Sequence, residues 1–218
     1  YANMAAYEVL VKSDPDHYAS LRGQVRSFPL IPEANKKISA SLAAVYAFME
    51  VGRQLVFSGP ALQDSLDNML DWFKANNIDE PVYRASLEYG RQIADTILRW
   101  ADKDHYKETR RLPRYRFLKK EGKWIPTPPA YMAAIEPYWN RIRLIALDSV
   151  TQYRPPLAID FSKDTGSRFY KQAYDVYEAG NRLTADQKDI ANFWDCNPFA
   201  VSMQGHLHFA IKKISPGG

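Results

Sequence analysis

The sequence predicts an all-α fold, a helical bundle, and three observations carry that prediction. Apolar residues recur at three- and four-residue intervals through most of the 218 positions, the spacing that gathers them on one face of a helix. Strict apolar–polar alternation over five or more residues is hard to find, so no amphipathic strand stands out. Helix punctuation falls at the ends of the periodic stretches: Gly59 before Pro60, Asp79, Gly180, and Thr184 with Gln187 three residues on.

In order, the first helix spans about Tyr1 to Lys12 and is closed by Asp14 and Pro15. Tyr18 to Glu33, with Gly23, Pro29 and Pro32, reads as a connector. The second helix is long, about Asn35 to Phe57. Its stripe is Ile38, Leu42, Val45, Met49 and Gly52, and Ala43, Ala44 and Ala47 admit close neighbours, so it should be central. Pro60 opens the third helix, whose period runs through Leu62, Leu66, Met69, Leu70 and Phe73 to about Asn76. Asp79 caps a fourth that ends near Asp102 and buries Ile93, Ala94 and Ile97.

From Lys103 to Pro129 the letters turn to charge, aromatic rings and proline. Proline fixes its own φ and pushes the preceding residue out of the helical region, so a long ordered loop is expected there. Helicity is expected again from about Ala130 to Asn140 and from Arg141 to Ser149, with a break at Pro137. Arg154, Pro155 and Pro156 start another loop. Three further helices are expected: about Thr165 to Glu178, stopped by Gly180; one opened by the Thr184 and Gln187 capping box and carrying Ile190, Phe193 and Trp194; and about Phe199 to Lys213. No solenoid repeat is present, and residues 1–218 read as a single helical domain.

Hydrophobic residues at 46% and charged residues at 25% suit a globular chain, and no apolar run nears the roughly 20 residues that a membrane span needs. The net charge of +4 comes from 29 basic and 25 acidic residues of mixed order, which implies no nucleic-acid partner. The densest basic run, Lys107 to Lys123, reads as a solvated loop face, with a polyanion cover as the alternative. The lone Cys196 reads as a packing residue, with no zinc-spaced partner. The chain opens at Tyr1 without an initiator methionine and stops after Ser215, Pro216, Gly217 and Gly218, so both ends are expected to be cut from something larger.

Three stretches, in order, carry a resemblance. They are Tyr1 to Tyr7; Gly122, Lys123, Trp124, Ile125, Pro126, Thr127, Pro128, Pro129, Ala130 and Tyr131 followed by Pro137, Tyr138 and Trp139; and Leu183 to Trp194, with Pro216 to Gly218 beyond. Together they resemble the soluble bacterial vanadium-dependent haloperoxidases, which share their fold with type 2 phosphatidic acid phosphatases (PAP2). The resemblance covers nearly the whole chain but only the part upstream of that family's catalytic motifs. It implies an incomplete helical bundle of the haloperoxidase/acid phosphatase type with a long proline-rich loop, the N-terminal portion of a larger exported or periplasmic bacterial protein. Vanadate or phosphate would be held by the C-terminal helical half, which is this chain's implied partner, and this chain would bind no cofactor and be inactive alone. A homodimer stays open.

The family's oxyanion is held by two arginines, a lysine, backbone amides and a histidine. Lys107 with Arg114, Arg99 with His105, and Gly205 with His206 imitate parts of that pattern, but each departs from it in residue or order. No catalytic, cofactor-binding or metal-ligating residue is therefore assigned. His206 and His208 lie about 200° apart on a helix and cannot share one metal there. Asp102, Asp104 and His105 form a polar helix end without EF-hand spacing. Trp124, Tyr131, Trp194, His206 and His208 are the candidates to line a pocket or interface. Two other readings stay open: a helical module presenting the aromatic and proline loop to a glycan or protein, and a family member that has lost its catalytic residues.

Overall fold

The computed structural model describes residues 1–56, 58–128 and 131–194. Among these residues the chain is helical, with no strand and only an isolated bridge between Arg22 and Val25. Among the described residues no helix is long and apolar enough to cross a membrane. The described residues fall into two compact units. The first joins residues 1–113 to 136–152, and the second joins 114–128 and 131–135 to 153–194.

The first unit is built on α1 (Ala2–Ser13), α2 (Ala40–Leu55), α3 (Gly59–Ala75) and α4 (Glu80–Ala101), with a single-turn α5 (Tyr106–Thr109) after them. Its core forms where α1, α2 and α4 meet: Ala5, Val9, Ala43, Ala47, Val51, Ile93, Ala94 and Ile97 are fully buried. The small residues matter because they let the α2 and α4 backbones come close. A Cβ placed on Gly90 of α4 would stand 2.7 Å from the Ala43 carbonyl oxygen of α2 and 3.1 Å from the Tyr46 ring.

The connector between α1 and α2 is tied down by a buried carboxylate. Glu8 accepts from the Ser20 hydroxyl at 3.0 and 3.1 Å and from the Leu21 amide at 2.7 Å, so its charge enters the core with hydrogen-bond partners. Further along, Tyr89 of α4 donates to the Pro32 carbonyl at 3.1 Å.

Helix α2 starts at Ala40, five residues later than its apolar stripe suggests. Ser39 ends the extended connector, accepting from the Leu42 amide while its own amide donates to the Ser86 hydroxyl of α4 at 2.8 Å. Asp79 stands at the N-cap position of α4, but its side chain makes no capping bond. The expected helices over 130–140 and 141–149 do not form. Apart from one 3-10 turn at Trp139–Arg141, residues 131–149 run as turns and extended chain. Tyr131 and Glu136 have positive φ, and the backbone amides are used elsewhere: Arg143 donates to the Asp104 carbonyl at 2.8 Å, and the Ile145 carbonyl accepts from the Arg26 amide at 2.9 Å. Long-range pairing has overridden local helix preference.

The second unit holds α6 (Arg168–Asn181) and α7 (Ala185–Phe193). Ser167 caps α6 and starts it three residues later than expected, and the helix passes through Gly180. The Thr184 and Gln187 capping box on α7 forms with both of its bonds. Gly122, at φ +71°, lies so close to Phe161 that a Cβ would meet that ring at 2.8 Å. Neither α6 nor α7 has a buried residue, and Tyr170, Tyr174 and Tyr177 form a row of ring contacts along α6. The expected helix over 199–213 and Cys196 lie outside the described residues.

Replacing Gly90 with alanine tests the α2–α4 crossing. Alanine in a helix interior normally gains about 0.5–1 kcal/mol over glycine, but overpacking against a backbone carbonyl costs about 1–3 kcal/mol. Gly90→Ala is expected to lower the unfolding free energy in a urea titration, and a gain in stability would refute the close crossing.

Candidate functional site

Of the residues expected to line a pocket or interface, Trp124, Tyr131 and Trp194 fall in the second unit. Trp124 is 51% exposed and meets Tyr115 at 6.3 Å and 56°, and Phe117 at 6.2 Å and 89°. Tyr131 is exposed and borders a cavity of about 690 Å³ whose lining mixes apolar Phe117, Ile125 and Pro126 with Lys119, Lys120 and Lys123 and with Glu121. Trp194 caps the C-terminal end of α7, exposed, with its ring edge-on to Phe193 at 5.1 Å. Phe117 thus meets the Trp124 ring and lines the same cavity as Tyr131. His206 and His208 lie outside the described residues.

The first unit holds a site that the sequence did not announce. Trp100, at the end of α4, is 6% exposed and packs edge-on against Tyr1 and Phe28 at 5.3 and 5.1 Å. The Arg143 guanidinium lies over its face, 3.9 Å from the ring centroid, and donates to the Trp100 carbonyl at 2.9 Å and to the Tyr1 hydroxyl at 3.3 Å. Tyr1 in turn donates to Asp104 Oδ2 at 2.6 Å, and Asp104 Oδ1 accepts from the Tyr106 amide at 2.7 Å. Between them His105 is held at φ +70°, a left-handed conformation that leaves its side chain exposed.

Two clefts flank this cluster. One, of about 740 Å³, includes both acids, Asp102 and Asp104. The other, of about 810 Å³, is bordered by Arg26, Arg99, Trp100, Lys103, His105 and Arg143 and by no carboxylate. Arg99 and His105, which imitate one family spacing, therefore share a cleft, whereas Lys107 is paired with Asp102. Among the described residues no group of three or more histidine, cysteine, aspartate or glutamate side chains is placed to hold a metal ion.

No family model matches the sequence. No curated protein matches it either. Among solved structures, the crystal structure presented as the first bacterial vanadium-dependent iodoperoxidase superposes with a TM-score of 0.83 and 39% sequence identity over 91% of this chain. The chain has the vanadium haloperoxidase-like fold. The superposition covers 49% of the iodoperoxidase chain, so this chain spans about half the length of that haloperoxidase. The helical architecture and the resemblance carried by the tryptophan and proline loop agree with it.

Burial raises the phenol of Tyr89 to about 12, assisted by the charges of Glu33 and Glu8. Burial, then the hydrogen bond to Asp104, raises that of Tyr1 to about 12 as well. An unfolded tyrosine ionises near about 10. A raised folded-state value means that the native protein holds the proton more tightly. The stabilisation is whole below pH 10 and is lost as pH rises towards 12. Unfolding free energy is expected to fall across that window, with a shallower fall in Tyr89→Phe. An alkaline titration followed by tyrosinate absorbance and denaturant melts checks this, and identical slopes in both proteins would contradict it.

Proposed function

We propose that this chain is the scaffold half of a bacterial, exported vanadium haloperoxidase-like or PAP2-type phosphatase enzyme, and that the oxyanion-holding residues belong to a further helical portion. The observation that carries the reading is the iodoperoxidase superposition, which spans nearly all of this chain and half of that one. The bare faces of α6 and α7 add support, since helices with no buried residue have apolar surface left to cover.

Vanadate, if held by the whole protein, would supply an electrophilic oxyanion centre for peroxide and halide chemistry. The described residues do not fit it. The basic cleft has the right kinds of donor, but Arg99, Lys103 and His105 are exposed around about 810 Å³ rather than converging on one small anion. No step is therefore assigned to vanadate here. What these residues do is structural: α1, α2 and α4 supply a rigid core, and the Trp100 and Arg143 stack fixes the returning segment over 139–145.

The binding-module reading requires a flat platform of exposed rings. Trp124 and Trp139 are exposed, as that reading requires, but the rings beside Trp124 stand at 56° and 89° to it and form no flat platform.

The purified 218-residue chain is expected to show no phosphomonoester hydrolysis and no vanadate-dependent iodide oxidation by peroxide above buffer. Turnover at an enzyme-like rate, about 1 per second or more, would place catalysis within these residues and sink the proposal.

A further inference from the structure

The basic cleft of the first unit has a charge balance unlike the rest of the chain. Over the whole sequence 29 basic residues face 25 acidic ones. In this cleft Arg26, Arg99, Lys103 and Arg143 stand together with His105 and without any aspartate or glutamate. Like charges on a low-dielectric concave wall raise one another's potential, and a cleft lined with one sign focuses the field outward. That arrangement costs stability unless something of opposite charge occupies it.

The partners of these cations show how much charge stays unspent. Arg143 is committed to Trp100 and Tyr1. Arg26 reaches one exposed carboxylate, Asp148, at 3.4 Å, and Arg99 donates to the Thr96 hydroxyl at 3.2 Å. Lys103 has no ion pair among the described residues. Two further donors on side chains of the wall, Trp100 Nε1–H and Arg143 Nε–H, are buried without an acceptor among the described residues. Donors in that condition carry an uncompensated desolvation penalty.

We infer that this cleft is a binding site for a small organic polyanion that presents phosphoryl or sulfuryl oxygens to Arg26, Arg99 and Lys103. Its volume, about 810 Å³, suits a ligand well beyond one inorganic ion. Ile142 and Leu144 on the same wall give an organic portion apolar contact. Guanidinium groups favour such oxygens because two parallel N–H bonds fit two oxygens of one group. The inference goes beyond the proposed scaffold role and does not need it, because every residue it uses lies in this chain.

Amine acylation of the full-length protein, read residue by residue by mass spectrometry, tests the site. Inorganic pyrophosphate is the first probe and inorganic sulfate the second, so that the arms separate phosphoryl from sulfuryl preference. Pyrophosphate at about four times its Kd is expected to slow acylation of Lys103 about fivefold, following the free fraction, while Lys37, an exposed lysine away from the cleft, is unchanged. In Arg99→Gln, the concentration giving half protection is expected to rise about tenfold, the loss of one charge-assisted contact. Stronger protection by sulfate than by pyrophosphate would keep the site and assign it to sulfuryl groups. Unchanged Lys103 reactivity with both probes would overturn the inference, as would equal protection of Lys37. Circular dichroism of Arg99→Gln checks that the variant is folded, and the unmutated protein's protection pattern decides the matter without it.

Discussion

The close passage of α2 over α4 is the constraint on which the first unit depends. Ala43 and Gly90 bring two backbones together, and only then can Ala47, Val51, Ile93, Ala94 and Ile97 exclude water with α1. Every later feature is referred to α4. Its middle holds Tyr89 against the connector, and its last turn presents Trp100 as the surface on which Arg143 stacks. A displacement of α4 would therefore move the returning segment and both flanking clefts together.

The second unit follows a different economy. Its helices have sound local signals, a serine cap on α6 and a capping box on α7, yet they bury nothing among the described residues. Caps of this kind each contribute about 1 kcal/mol, whereas burial of single large apolar side chains contributes about 1.5–3 kcal/mol. Leu157, Val176, Ile190 and Trp194 are all exposed. The segment has local order without the packing that usually sustains it.

Much of the architecture was legible in the letters. The bounds of α1, α3 and α4 follow from apolar period and punctuation, and α7 from its capping box, because these signals act within a few residues. The misreadings share a cause. Residues 141–149 have ordinary helix-forming letters, but Arg143 and Ile145 bond through their backbones to Asp104 and Arg26, far away in sequence, while Tyr131 and Glu136 break the preceding segment with positive φ. The site was less legible for the same reason. Trp124 and Tyr131 stand out as unusual letters in a proline loop, whereas Arg26, Arg99 and Arg143 come from separate segments and look like ordinary surface charge until the fold gathers them.

The two polar ties on α1 differ in the length of chain they enclose. Glu8 grips residues only 12 and 13 positions away, while Tyr1 meets Asp104 and Arg143 across 103 and 142. Closing a short loop costs little entropy, and long-range contacts wait on everything between them. Loop-closure entropy therefore favours fastening the middle of this helix before its N-cap residue Tyr1, whose partners arrive only when the polypeptide has come back on itself.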